Sequence, residues 1–167
     1  MMEETRFRVF FERTSKPLLA YLLHVAADRA VAEDTFQEAY VRLLQRDPGG
    51  LDDVRLKAYL FTTATNLLRD HWRRVKKERQ WEAERVEAVS HREEAEDLRL
   101  SVEEALDEVS PRARSLLWLA YVEGYRHDEI AAMLNLQKSS VRVLLFRARR
   151  RMSDVLTSMG IRKEEPQ

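Results

Sequence analysis

Between Lys76 and Leu100 the chain reads KKERQWEAERVEAVSHREEAEDLRL, a run of charges with almost no apolar periodicity beyond Trp81, Val86 and Val89. Such a segment cannot bury enough apolar surface to offset its own ordering, so it reads as a solvated, partly helical connector. The 167 residues are thereby divided into two blocks of about 70 residues, each near the size where one core is only marginally stabilising. Modules of that size often lean on a partner. With only 4 Gly and 4 Pro and many Ala, Leu, Arg and Glu, the blocks are expected to be all-α, without sheet. Cysteine is absent, which removes disulfides and thiolate metal sites and fits a reducing, cytoplasmic setting. Glu3, Glu4, Arg6 and Arg8 interrupt the first residues, so they lack a signal-peptide core. No stretch approaches the roughly 20 apolar residues of a membrane span, and no membrane insertion is expected.

The formal net charge of +0 argues against a nucleic-acid binder only as an average. Residues 1–75 carry +1, residues 76–104 carry −4 and residues 105–167 carry +3. The positive charge is concentrated further at Arg69, Arg73, Arg74, Lys76 and Lys77, and again at Arg142, Arg147, Arg149, Arg150 and Arg151. Two basic patches flank an acidic middle.

In the first block Phe36, Ala39, Tyr40, Leu43 and Leu44 recur at helical spacing, which predicts a helix from about Ala30 to Arg46 with these residues inward. Asp34, Gln37, Glu38 and Val41 then form its outer ridge. Asp47-Pro48-Gly49-Gly50 breaks the helix. A longer helix, about Arg55 to Lys77, is expected to bury Leu60, Phe61, Ala64, Leu67, Leu68, His71 and Val75. Asn66, Asp70, Arg73 and Lys77 fall on its opposite face beside Arg69 and Arg74, and such a face can grip a nucleic-acid backbone.

The second block opens with Ser110-Pro111, an N-cap followed by proline at the first helical position. Leu116, Leu117, Ala120 and Tyr121 are expected inward, with a stop at Gly124. A short helix from about His127 to Leu134 packs through Ile130, Ala131 and Leu134, turns at Asn135-Leu136 and is followed by a helix from about Lys138. Two helices joined in this way are a helix-turn-helix, whose second member enters a major groove. Arg126 is a poor cap, so the first of the two is expected to start late or fray. His24, His71, His91 and His127 have no metal-ligand spacing, and neither a phosphate-cradling glycine loop nor a nucleophile turn is present. No enzyme activity, cofactor or metal is expected.

The order of these segments resembles a known family. Ala32-Glu33-Asp34-Thr35-Phe36-Gln37-Glu38-Ala39-Tyr40 resembles the core-polymerase-binding helix of sigma region 2. Ala58-Tyr59-Leu60-Phe61, Asn66-Leu67-Leu68, Asp70-His71 and Arg73-Arg74 resemble the helix of that region that melts promoters and reads the −10 element. Ser110-Pro111-Arg112, Tyr121-Val122-Glu123-Gly124-Tyr125, Glu129-Ile130-Ala131, Val141 and Arg147-Ala148 resemble sigma region 4, which reads the −35 element. Together they cover about residues 7–152 without the extra domains of larger sigma factors, as in the extracytoplasmic-function group.

The resemblance implies a region 2-like domain at 1–77, an acidic linker at 78–104, a region 4-like domain at 105–152 and a frayed tail at 153–167. It implies an alternative sigma factor whose partners are core RNA polymerase, double-stranded −35 and single-stranded −10 promoter DNA, and an anti-sigma factor. Asp34, Gln37, Glu38 and Val41 would contact the polymerase. Asn66, Arg73, Arg74 and Lys77 would contact the −10 strand, Asp70 would either accept a base amino group there or orient Arg73 and Arg74, and the loop Asp47 to Val54 would hold an unstacked base. Tyr59 and Trp72 are either stacking surfaces or core. Lys138, Ser139, Ser140, Arg142, Leu144 and Arg147 would contact the −35 duplex. Val143 and Leu144 stand where the family carries a small or polar residue and a basic one, so an exposed Leu144 would meet thymine methyls or, with Phe146, a protein. Glu93, Glu94, Glu96 and Asp97 could mimic RNA in the polymerase exit path. The alternative reading is a helix-turn-helix regulator that binds DNA without joining the polymerase.

Overall fold

The computed structural model describes residues 2–46, 48–82, 104–106 and 108–161, and these are helical with no strand among them. Three long helices come first: α1 (Glu4–Ala26), α2 (Arg29–Arg46) and α3 (Asp53–Glu82). They are followed by α4 (Pro111–Leu117), a π-helical turn (Trp118–Val122), α5 (His127–Leu134) and α6 (Lys138–Ser158). Val86, Val89 and the carboxylates Glu93, Glu94, Glu96 and Asp97 lie outside the described residues.

The first unit packs α1 and α3 against α2. α1 was not anticipated from the sequence, although Phe10, Thr14, Leu18, Tyr21, Leu22 and Val25 repeat at helical spacing and are buried. Pro17 inside it removes one backbone N–H and normally breaks a helix. The helix persists because its apolar stripe is fully packed, and Thr14 bridges the Phe10 carbonyl and the Tyr40 hydroxyl at 2.7 Å each. In α2, Ala39, Tyr40 and Leu43 are buried as expected, whereas Leu44 is 40% exposed. In α3 the stripe is Leu56, Leu60, Phe61, Ala64, Thr65 and Leu68, while Leu67, His71 and Val75 are only half-buried. Thr65 turns inward and hydrogen-bonds the Tyr21 hydroxyl at 2.7 Å.

In the second unit Ser110 caps α4 by accepting the Ala113 N–H at 3.3 Å, with Pro111 at the first helical position. The helix then widens into the π-turn, closed by Glu123 N–H donating to the Trp118 carbonyl at 3.1 Å. One extra residue in a turn rotates everything after it by about 100°. For that reason Leu119 is buried, and Tyr121, expected inward, is 58% exposed. Gly124 ends the segment with φ +72°. The α5 N-terminus is firm despite Arg126, because the Glu129 carboxylate accepts the Arg126 N–H at 2.7 Å. This is the glutamate half of a capping box; a guanidinium has no acceptor for the other half. α5 ends at Asn135 in the left-handed conformation, φ 52°. α6 runs on to Ser158 with Val155 buried, so residues 153–158 are ordered helix where a frayed tail was expected.

The two units share one continuous apolar core, from Phe10 and Tyr21 through Phe61 to Leu116, Ile130 and Leu145. α1 packs on α4, and α3 packs on α5. Polar contacts accompany the join: Lys57 Nζ donates to Glu123 Oε2 at 2.6 Å, Arg69 to the Leu134 carbonyl at 3.0 Å and Arg114 to the His24 carbonyl at 3.1 Å. The His24 and Trp118 rings stack at 4.6 Å.

Candidate nucleic-acid interface

α2 and α3 together form an open cleft of about 400 Å³, lined by Arg42, Arg46, Tyr59, Thr63, Asn66, Arg69, Asp70 and Arg73. Its floor is α3, where Asn66, Asp70 and Arg73 fall on one exposed face, as their spacing predicts. Asp70 lies 3.7 Å from the Arg73 guanidinium, so the carboxylate orients a cation at the rim. Tyr59 and Trp72 are half-buried against the core; Tyr59 lines this cleft, and Trp72 lines a neighbouring one with Arg69, Arg73 and Arg112. Arg74 and Lys77 are exposed on α3 but line neither.

Reasoning from sequence missed Arg42 and Arg46. Their i,i+4 spacing on α2 was a usable signal, but only the packing of α2 on α3 brings both to the cleft that contains Asn66. The cleft thus combines cations for phosphate, an amide for a base edge and a ring for stacking, which is the equipment for an unstacked strand. In the preceding loop the carboxylates serve the fold: Asp52 accepts the Arg55 N–H at 2.8 Å, capping α3, and Asp53 pairs with Arg13 at 2.9 Å.

On the outer side of α2, Asp34, Gln37, Glu38 and Val41 are all exposed. Leu44 extends this ridge, so two aliphatic side chains, 44% and 40% exposed, continue the polar stripe. Glu38 accepts from Arg42 at 2.8 Å, which joins the ridge to the cleft.

The third surface is the outer face of α6. Lys138, Ser139, Arg142 and Arg147 are exposed and Ser140 is half-buried. Leu144, expected to be exposed, is half-buried against the core. Helical phase puts Val143 and Phe146 outward in its place, 48% and 55% exposed, with Arg149 and Arg150 beside Phe146. No group of three or more potential metal ligands exists among the described residues, and no described helix is long and apolar enough to cross a membrane.

A helix-turn-helix with a cationic outer face, joined to a three-helix unit with a strand-sized cleft, defines a two-part helical DNA-binding protein. Residues 10–78 match the family described as Sigma-70 region 2, and residues 99–152 match Sigma-70, region 4. The chain belongs to the sigma-70 family of RNA polymerase sigma factors, in its extracytoplasmic-function (ECF) group. It is similar to the probable ECF RNA polymerase sigma factor SigI of Mycobacterium tuberculosis, 28% identical over 151 residues, covering 81% of this chain and 51% of that protein. The chain therefore spans about half the length of SigI. ECF RNA polymerase sigma factor SigL of the same species is 25% identical over 165 residues, covering 95% of this chain and 93% of SigL. SigM of Bacillus subtilis is 26% identical over 152 residues, covering 86% and 90%. Among solved structures, the sigma factor RpoE in complex with the anti-sigma factor NepR from Bartonella quintana superposes with a TM-score of 0.74 at 23% identity, covering 90% of this chain and 96% of that one. CnrH in complex with the cytosolic domain of CnrY gives 0.66 at 21% identity, covering 93% and 90%. These two likenesses show a shared fold.

Proposed function

We propose that the chain is an alternative sigma factor that binds core RNA polymerase in the cytoplasm, directs it to particular promoters and stabilises their melted state. The observation that carries this reading is the presence of three separate surfaces on one short chain: the α2 ridge, the α3 cleft and the α6 face. Asp34, Gln37, Glu38 and Val41 dock on the polymerase, where complementary charge sets orientation and association rate more than raw affinity. Asn66 reads a base of the opened −10 strand, Asp70 orients Arg73, and Arg73, Arg74 and Lys77 neutralise phosphates. Lys138, Ser139, Ser140, Arg142 and Arg147 meet the −35 duplex, and Val143 and Phe146 take over the apolar contact to thymine methyls assigned from sequence to Leu144.

The chain performs no covalent chemistry in this reading; binding free energy captured from unstacked bases drives melting. An anti-sigma factor is its proposed regulator, as named for the RpoE structure. The functional units are 1–77 and 105–152, with 78–104 linking them and 153–167 following. Run-off transcription with purified core polymerase over a promoter library tests the proposal. Specific transcripts dependent on the chain are expected, and failure to associate with core polymerase even at low salt would overturn it.

A further inference from the structure

We propose that the cavity between α3 and the start of α4 binds a purine nucleoside diphosphate. This assignment goes beyond the sigma-factor reading and stands without it.

The charge around the cavity is one-sided. Its volume is about 550 Å³, and its described lining residues include the guanidiniums of Arg69, Arg73 and Arg112 but no Asp or Glu. Arg69 donates to the Leu134 carbonyl at 3.0 Å, and Arg73 lies 3.7 Å from Asp70, which lines the neighbouring cleft. Neither contact places a formal negative charge on the cavity wall. Like charges around one concavity repel, and an anion seated among them is attracted by all three at once. Planar guanidiniums take phosphate oxygens two at a time, so phosphate is the anion that this set suits.

The inner wall points to more than an inorganic anion. Thr65 and Ser115 line the cavity and are 3% and 2% exposed. Both hydroxyl protons are committed, because Thr65 donates to the Phe61 carbonyl at 2.7 Å and Ser115 to the Pro111 carbonyl at 3.1 Å. Thr65 also accepts from the Tyr21 hydroxyl at 2.7 Å. What the two oxygens still offer is lone pairs, and a buried acceptor is matched by a donor. An ionised phosphate supplies none, whereas ribose hydroxyls and a base amino group do.

Trp72, half-buried, adds a ring to the same lining, against which a base can stack. Cations, acceptors and ring thus answer phosphate, sugar and base. A volume of about 550 Å³ lies within the range of about 300–1,000 Å³ usual for small-ligand sites. Three guanidiniums match a diphosphate better than a monophosphate, and a two-ring base covers an indole more fully than a one-ring base.

Calorimetric titration of the full chain at about 0.15 M salt with ADP, GDP, pyrophosphate and adenosine tests the assignment. ADP or GDP is expected to bind at least about tenfold more tightly than pyrophosphate or adenosine, since only the nucleotide meets cations, acceptors and ring together. Arg112→Ala, at an exposed position in the first turn of α4, should weaken nucleotide and pyrophosphate alike by about tenfold. Trp72→Leu should weaken the nucleotide and leave pyrophosphate unchanged, with Trp72→Phe recovering part of the loss. Should Trp72→Leu misfold, Ser115→Ala removes an acceptor and is read in the same way. Pyrophosphate binding as tightly as the nucleotide would make the cavity a general anion trap and overturn the assignment. Absence of nucleotide binding, or a folded Arg112→Ala chain with unchanged affinity, overturns it as well. Polymerase takes no part in these titrations, so their failure leaves the sigma-factor reading standing, and failure to associate with core polymerase leaves the nucleotide site standing.

Discussion

Tyr125 carries a buried hydroxyl with no hydrogen-bond partner among the described residues, and burial, helped by Glu123 and Glu129, pushes its ionisation up to about 12. Tyr40 is raised to about 12 by burial as well, opposed by its bond to Thr14. A native state that holds the phenol proton more tightly than the unfolded chain is favoured fully below pH about 10, and loses that advantage as pH rises towards about 12. Tyr125→Phe should therefore reduce alkaline sensitivity, and at neutral pH should leave stability unchanged or raise it by up to ~1 kcal/mol. Tyr40→Phe should cost ~1 kcal/mol by removing a made bond. Urea unfolding at neutral and alkaline pH separates the two. At Gly124, φ is +72° and an added Cβ would meet nothing within 4 Å, so Gly124→Ala should lower stability by about 1–2 kcal/mol through backbone strain alone, read from thermal melts. Residue identity revealed that Tyr40 is inward, but not whether a given hydroxyl finds a partner, which depends on what another helix presents.

At the scale of elements, local rules worked where local chemistry decides. The Ser110 cap, Pro111, the Asn135 turn and the spacing of Asn66, Asp70 and Arg73 were all legible. They failed where a helix departs from 3.6 residues per turn, as at Tyr121, or where a cap comes from the wrong side. Nothing at Arg126 signals a start, but Glu129 supplies it from three residues on. Glu129→Ala should cost ~1 kcal/mol of stability in urea, whereas Arg126→Ala should cost less. On α3, replacing Arg73 and Arg74 by Ala should flatten the salt dependence of holoenzyme binding to promoter DNA by about 0.9 in log–log slope for each phosphate left without its cation. An unchanged slope would mean that neither residue touches phosphate.

At the scale of the whole molecule, the charged run after α3 divides the sequence but not the core, which is continuous from α1 and α3 into α4 and α5. Calorimetry should accordingly show one cooperative thermal transition for the full chain. Two resolved transitions would show that each unit folds by itself. The same packing accounts for α1: its apolar stripe faces both α2 and α4, and this burial offsets the cost of Pro17 inside the helix.

By themselves the residues determined the helical class, the helix-turn-helix, the outward ridge of α2 and the amide and charges along α3. Each follows from periodicity or turn chemistry within about twenty positions, and physics over that range is written in the order of side chains. Only the tertiary structure decided that Arg42 and Arg46 line one cleft with Asn66, that Leu44 points out and Thr65 in, and that Glu123 lies on Lys57, 66 positions away. Periodicity fixes how side chains are spaced around a helix, but the face that is buried, and the partner that buries it, are set by the other helices packed around it.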